Sequence, residues 1–172
     1  RQMCIRDSTM HRPSNVDEKD SLINFVKMLS EMGSKIPILF PVHPRTKEKL
    51  KTLVIKFPKS VRMIDPLPYI RFLGLMAKST VVVTDSGGIQ EETTLLGIPC
   101  ITVRDNTERP VTVQMGTNII AGTDPDNILK IFYRIVEGKT ANGSIPPLWD
   151  GKSGNRIAKI IKNMIRSLRR TK

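Results

Sequence analysis

The sequence predicts an α/β fold: a three-layer, Rossmann-like domain with a parallel sheet between two layers of helices. Three observations predict it. Short apolar runs of strand length alternate with longer amphipathic segments along the chain, the pattern of βαβ units. The run Thr80-Val-Val-Val-Thr84 is unbroken and β-branched throughout, as a strand covered on both faces is. A glycine pair, Gly87-Gly88, follows that run and opens a helical segment. Open parallel sheets hold their ligands at such strand-to-helix turns, where the strand order reverses.

Each element has its own signal. Residues 1–8 show no cap, no alternation and no signal-peptide layout. They are set apart as a truncated or non-native leader, which leaves residues 9–172 as one domain. Asp17 or Asp20 caps a first helix whose apolar face is Leu22, Phe25, Val26 and Leu29, ending near Gly33. Residues 36–42 are a buried strand, followed by a His-Pro turn. A helix with a basic face covers 46–55, a short strand 61–64, and a helix 68–79 with Phe72, Leu75 and Met76 inward. After the 80–84 strand, a helix covers 89–96 and stops at Gly97. Strands follow at 100–103 and 118–121. Thr123-Asp124-Pro125 opens a helix that runs to Glu137. The last helix runs from about Asn155 to Arg169.

Bulk properties narrow the function. Hydrophobic residues make up 39% and charged residues 26% of the 172, a composition that buries a core rather than staying disordered. No apolar run approaches the roughly 20 residues of a membrane-spanning helix, so no membrane partner is expected. The two cysteines, Cys4 and Cys100, lack metal-ligand spacing, so reduced thiols, no metal site and a cytoplasmic setting are expected. The net charge of +12 raises nucleic acid as a partner. Against it, aromatics are only 5%, with no aromatic-rich strand for stacking bases, and the charge is partly local: the segment 156–172 is basic and free of acids. A basic face that attracts a small polyanion is the preferred reading, and no nucleic acid partner is expected.

Three clusters carry chemistry. In Asp85-Ser86-Gly87-Gly88, the glycines let the backbone approach a ligand, Ser86 offers a hydroxyl, and the helix start adds N–H groups and its positive dipole end. Together they suit a diphosphate. Glu92 shares a helix face with Gly88 at i+4 spacing and suits ribose hydroxyls. The bland alternative is a tight turn before a solvated acidic helix. In Arg104-Asp105-Asn106-Thr107-Glu108-Arg109-Pro110, Arg109 is held extended by the following proline and can aim into the cleft; the alternative is a charged loop with internal ion pairs. The chain's two histidines, His11 and His43, each follow a strand at the ligand end of the sheet. A histidine there can neutralise or protonate a departing phosphate.

The segments Thr-Asp-Ser-Gly-Gly-Ile-Gln-Glu-Glu at 84–92, Thr-Glu-Arg-Pro at 107–110, Gly-Thr-Asn at 116–118 and His-Arg-Pro-Ser-Asn-Val-Asp at 11–17 resemble the non-hydrolysing UDP-N-acetylglucosamine 2-epimerases. Their order and spacing fit as well. The resemblance implies a GT-B fold, two Rossmann-like halves with the active site between them, of which this sequence is similar to the C-terminal half. It implies that Ser86, Gly87 and Gly88 hold the UDP diphosphate, that Glu92 binds the ribose, and that Arg109 lines the same cleft. His11 matches the family's active-site histidine. Arg12 and His43 match contacts to a second, allosteric UDP-N-acetylglucosamine. The uracil is expected against residues 66–72.

The implied reaction inverts C2 of the sugar: UDP leaves C1 by anti elimination, 2-acetamidoglucal stays bound, and reprotonation and re-addition yield UDP-N-acetylmannosamine, a step of cell-envelope polysaccharide synthesis. No NAD and no metal are implied. The base that removes the C2 proton lies on the N-terminal domain, so this fragment alone is expected to be inactive; the full-length form is expected to be a homodimer. Many members carry glutamate where Ser14 and Val111 stand, which marks a subgroup. Two rivals stay open. One is a hydrolysing epimerase or GT-B glycosyltransferase fragment. The other is a non-catalytic module that binds nucleotides or nucleic acid.

Overall fold

A computed structural model describes residues 2–5, 19–42, 44–52, 57–140 and 143–170. Six strands form one sheet: β1 (Gln2–Ile5), β2 (Ile38–Pro41), β3 (Val61–Ile64), β4 (Ser79–Thr84), β5 (Cys100–Thr102) and β6 (Asn118–Ile120). Every pairing is parallel, in the order β3-β2-β1-β4-β5-β6. The chain winds outward from β1 to β3, crosses back to β4, and winds outward the other way. The reversal falls between β1 and β4, where Ile5 lies beside Val83.

Setting residues 1–8 outside the fold is corrected by this sheet. Gln2–Ile5 is the central strand, paired with β2 on one side and β4 on the other. Local sequence carries little sign of it, because a four-residue strand with neighbours on both edges is held by long-range backbone hydrogen bonds rather than by caps or alternation.

Seven helices are described: α1 (Lys19–Gly33), α2 (Pro44–Thr52), α3 (Tyr69–Met76), α4 (Gly87–Leu96), α5 (Pro110–Gln114), α6 (Pro125–Val136) and α7 (Ser153–Arg170). Of the first helix's two expected caps, Asp17 lies outside the described residues. The periodic apolar face of α1 is buried as read: Leu22, Phe25, Val26 and Leu29 are each at most 5% exposed. The side chains of β4 alternate. Val81 and Val83 face α1 and α6, together with Phe40, Ile101, Ile128 and Phe132. Val82 faces the other way, into a cluster with Phe72 and Met76 of α3 and Ile89 of α4. That two-sided burial explains why β4 carries no polar alternation. Cys100 is fully buried, and burial pushes its thiol up to about 11.

Boundaries follow local chemistry. Asp124 caps α6, its carboxylate accepting from the Asp126 N–H at 3.2 Å, with Pro125 in the first turn. Gly97 ends α4 in the left-handed region at φ 67°. The third helix stops at Met76, not at Ser79. Ser79 already belongs to β4, and its hydroxyl donates to the Leu75 carbonyl at 2.9 Å. The five-residue α5 has no strong sequence signal and was not expected. No described helix is long and apolar enough to cross a membrane. On α7, Ile157, Ile160, Ile161, Met164, Ile165 and Leu168 form an apolar stripe that lies exposed.

Candidate functional site

The carboxyl end of β4 delivers Asp85, Ser86, Gly87 and Gly88 to the point where the strand order reverses. Asp85 is buried. Ser86 is the N-cap of α4 in an extended conformation (φ −89°, ψ 131°), and its side chain makes no capping bond. Its own N–H instead donates to the Thr84 hydroxyl at 3.1 Å. The first N–H groups of a helix have no intrahelical acceptor, and here the usual side-chain cap is withheld. They face the cleft end of the sheet with the positive end of the helix dipole behind them.

Among the described residues, nothing in the fold requires the glycine pair. Neither Gly87 nor Gly88 has a positive φ. Among the described residues, a Cβ at Gly87 would meet only Glu108 Oε2, at 3.9 Å, and a Cβ at Gly88 would meet nothing within 4 Å. Helices disfavour glycine, and among the described residues no backbone strain or close contact requires it at either position.

Glu92 lies one turn further along α4. Its Oε2 is enclosed and has no hydrogen-bond partner among the described residues. With Glu91, Leu95 and Trp149 it lines an open cavity of about 270 Å³. Trp149, the chain's single tryptophan, was passed over in the sequence. It sits in a Pro-Pro-Leu-Trp-Asp loop that has no regular structure to mark it. A larger cavity of about 540 Å³ lies at the amino ends of β4 to β6, lined by residues such as Thr80, Pro99 and Thr117. It stands at the end of the sheet opposite to the glycine turn.

The 104–110 loop combines its two readings. Arg104, only 7% exposed, donates both terminal nitrogens to Glu108, at 2.7 and 3.0 Å, and one of them also to Asn106 at 3.3 Å. The Glu108 carboxylate outweighs burial and raises the Arg104 pKa further, with Asp85 adding a smaller contribution. This is the internal ion pair of the bland alternative. Arg109 differs: its guanidinium is half-exposed and reaches α4, with Nε 2.9 Å from Glu91 Oε1 and Nη1 donating to the Glu108 carbonyl at 3.3 Å. An exposed pair of this kind is worth about 0–1 kcal/mol, so a phosphate can compete for it.

The structure therefore brings Ser86, Gly87, Gly88, Glu92 and Arg109 onto or against one helix. His11 and Arg12, and also His43, lie outside the described residues. Phe72, one end of the expected uracil surface, is 2% exposed in the core, which leaves Pro66, Pro68, Tyr69, Ile70 and Arg71 on the surface of that stretch. Among the described residues, no group of three potential metal ligands comes together.

The family model of UDP-N-acetylglucosamine 2-epimerase matches residues 6–162. The curated UDP-N-acetylglucosamine 2-epimerase of Methanocaldococcus jannaschii is 42% identical over 159 residues, covering 89% of this chain and 43% of that protein. A UDP-2,3-diacetamido-2,3-dideoxy-D-glucuronate 2-epimerase of Pseudomonas aeruginosa is 34% identical over 158 residues, covering 91% of this chain and 44% of that one. The crystal structure of the Methanocaldococcus jannaschii UDP-GlcNAc 2-epimerase in complex with UDP-GlcNAc and UDP matches at a TM-score of 0.79 and 39% identity, over 94% of this chain and 45% of that chain. The chain thus spans under half the length of these relatives, and its doubly wound sheet is one Rossmann-like half of a GT-B fold. It belongs to the UDP-N-acetylglucosamine 2-epimerase family.

Proposed function

We propose that this chain is the nucleotide-binding half of an enzyme that epimerises a UDP-linked 2-acetamido sugar at C2, with UDP-N-acetylglucosamine as substrate. The observation that carries this reading is the Gly87-Gly88 pair, placed at the switch point and required by no contact or backbone strain among the described residues. The diphosphate sits on the N–H groups that begin α4, with the Ser86 hydroxyl beside it. Glu92 accepts from the ribose hydroxyls, and Arg109 exchanges Glu91 for a phosphate oxygen.

These groups stabilise negative charge that grows on the leaving UDP as the C1–O bond breaks. The C2 proton goes to a base on the other half. The electron pair of the C2–H bond forms the C1–C2 double bond, and the pair of the C1–O bond leaves on UDP. His11 serves the departing diphosphate, and Arg12 and His43 contact a second, regulatory UDP-sugar. No nicotinamide and no metal take part, no nucleic acid is bound, and the setting is cytoplasmic. In calorimetric titration at moderate salt, the chain is expected to bind UDP saturably and to show no turnover. Rejoined to its other half, it is expected to release UDP-N-acetylmannosamine. Free N-acetylmannosamine plus UDP would instead mark a hydrolysing enzyme. DNA binding with steep salt dependence and no preference for UDP would overturn the reading.

The exposed stripe on α7 supports the same division of labour. Six large apolar side chains stay about half or more exposed on one helix, and the relatives carry as much chain again. In our reading this stripe packs against the other half, and the full-length protein is a homodimer. Ile161→Glu in the longer protein is expected to lower its melting temperature by several degrees while leaving the melting of the isolated chain unchanged. Equal effects in both would remove α7 from that interface.

A further inference from the structure

Three separated stretches of sequence meet in one buried hydrogen-bond network that nucleotide binding leaves unused. Asn118, at the start of β6, stands at its centre and is 3% exposed. Its Nδ2 donates to Gln90 Oε1 and to Thr112 Oγ1, both at 3.1 Å, and its Oδ1 accepts from the Thr102 hydroxyl at 2.5 Å. Gln90, fully buried on α4, accepts a second bond at Oε1, from the Thr107 hydroxyl at 2.5 Å.

Both branches end on the backbone of one residue. Thr107 has spent its single proton on Gln90, so its oxygen accepts from the Arg109 N–H, at 2.9 Å. Thr112 receives Asn118 and therefore turns its own proton to the Arg109 carbonyl, at 2.7 Å. Each of these bonds has one consistent direction, and the two ends grip Arg109 on either side of its Cα.

We propose that Gln90 and Asn118 are positioning residues that hold Arg109 at a set distance from the phosphate-binding turn; this rests on the reading of that turn as the nucleotide site. Arg109 needs such help. It sits at φ −123°, ψ 58°, outside regular structure, at the head of a five-residue helix. A helix that short does not hold its own place. The network instead ties Arg109 to Gln90, three residues beyond Gly87 on the same helix, so arginine and turn share one frame. Buried networks rigidify and specify geometry to the extent that their members are satisfied; in this one Gln90 Nε2 has no partner among the described residues, while the bonds that reach Arg109 are all made.

A double-mutant cycle tests the role, because a network that acts through Arg109 has nothing left to position once the guanidinium is gone. UDP affinity is measured for the wild-type chain, Thr107→Val, Arg109→Ala and the double variant, and again with Asn118→Asp in place of Thr107→Val. Thr107→Val removes the linking hydroxyl at the protein surface with little change in shape. Asn118→Asp keeps the outline and removes both donated bonds. Each is expected to weaken UDP binding about fivefold alone and less than about twofold in the Arg109→Ala background. Should Asn118→Asp fail to fold, Thr107→Val carries the test. Equal losses in both backgrounds, or no loss in the first, overturn the positioning role while leaving the nucleotide site standing. No binding of UDP to the wild-type chain overturns both.

Discussion

Gly87→Ala is expected to raise the melting temperature slightly, or leave it unchanged, while weakening UDP binding at least about tenfold, a loss of about 1.4 kcal/mol or more. The two effects have opposite signs for one physical reason. Among the described residues the new methyl group meets no neighbour closer than 3.9 Å, and the residue's φ is not positive. Alanine in the first helical turn then limits the unfolded chain more than glycine does and stabilises by about 0.4–1 kcal/mol. A diphosphate seated on the N–H groups of that turn must come within hydrogen-bond distance of the backbone, where the methyl group now stands. Calorimetric titration with UDP and thermal unfolding of the same sample check both halves of the expectation. UDP affinity unchanged from wild type would show that the turn does not hold the phosphates. A large fall in melting temperature would show that Gly87 is there for the fold.

The two kinds of site residue differed in how far the sequence revealed them. A glycine pair after a buried strand is a local signal. Its neighbours in the chain, Thr84 to Gln90, carry both the strand end and the helix start that give it meaning. The Gln90–Asn118 bond joins residues 28 apart and Thr107–Gln90 residues 17 apart. No periodicity or cap relates them, so the motifs at 107–110 and 116–118 carry no sign in the sequence that Thr107 and Asn118 bond to the same glutamine. The same contrast holds for the fold. The β-branched run of β4, the apolar face of α1 and the Asp124-Pro125 cap of α6 are set within a few residues each. β1 and α5 are set by partners elsewhere in the chain, β2 and β4 for the first and Asn118 through Thr112 for the second.

Gly116→Ala is expected to do the reverse of Gly87→Ala: to cost on the order of 2–4 kcal/mol of stability. A Cβ at position 116 would stand 2.6 Å from the Thr112 carbonyl oxygen and equally close to Cγ2 of Thr94. The carbonyl belongs to the backbone of α5, and Thr94 is 1% exposed on α4, so neither can swing aside. Relief requires α4 and α5 to move apart, and that separation pulls on the bonds from Asn118 to Gln90 and Thr112 that span them. Such a cost is a large part of the 5–15 kcal/mol that holds a domain of this size together. Denaturant unfolding of the variant measures it. A midpoint equal to wild type would mean that the two helices yield easily, and with them the frame that holds Arg109. A lowered midpoint with UDP affinity preserved in the folded fraction would place Gly116 in the fold alone. Two glycines of neighbouring motifs would then have separate duties, one making room for a neighbouring helix and the other for a ligand.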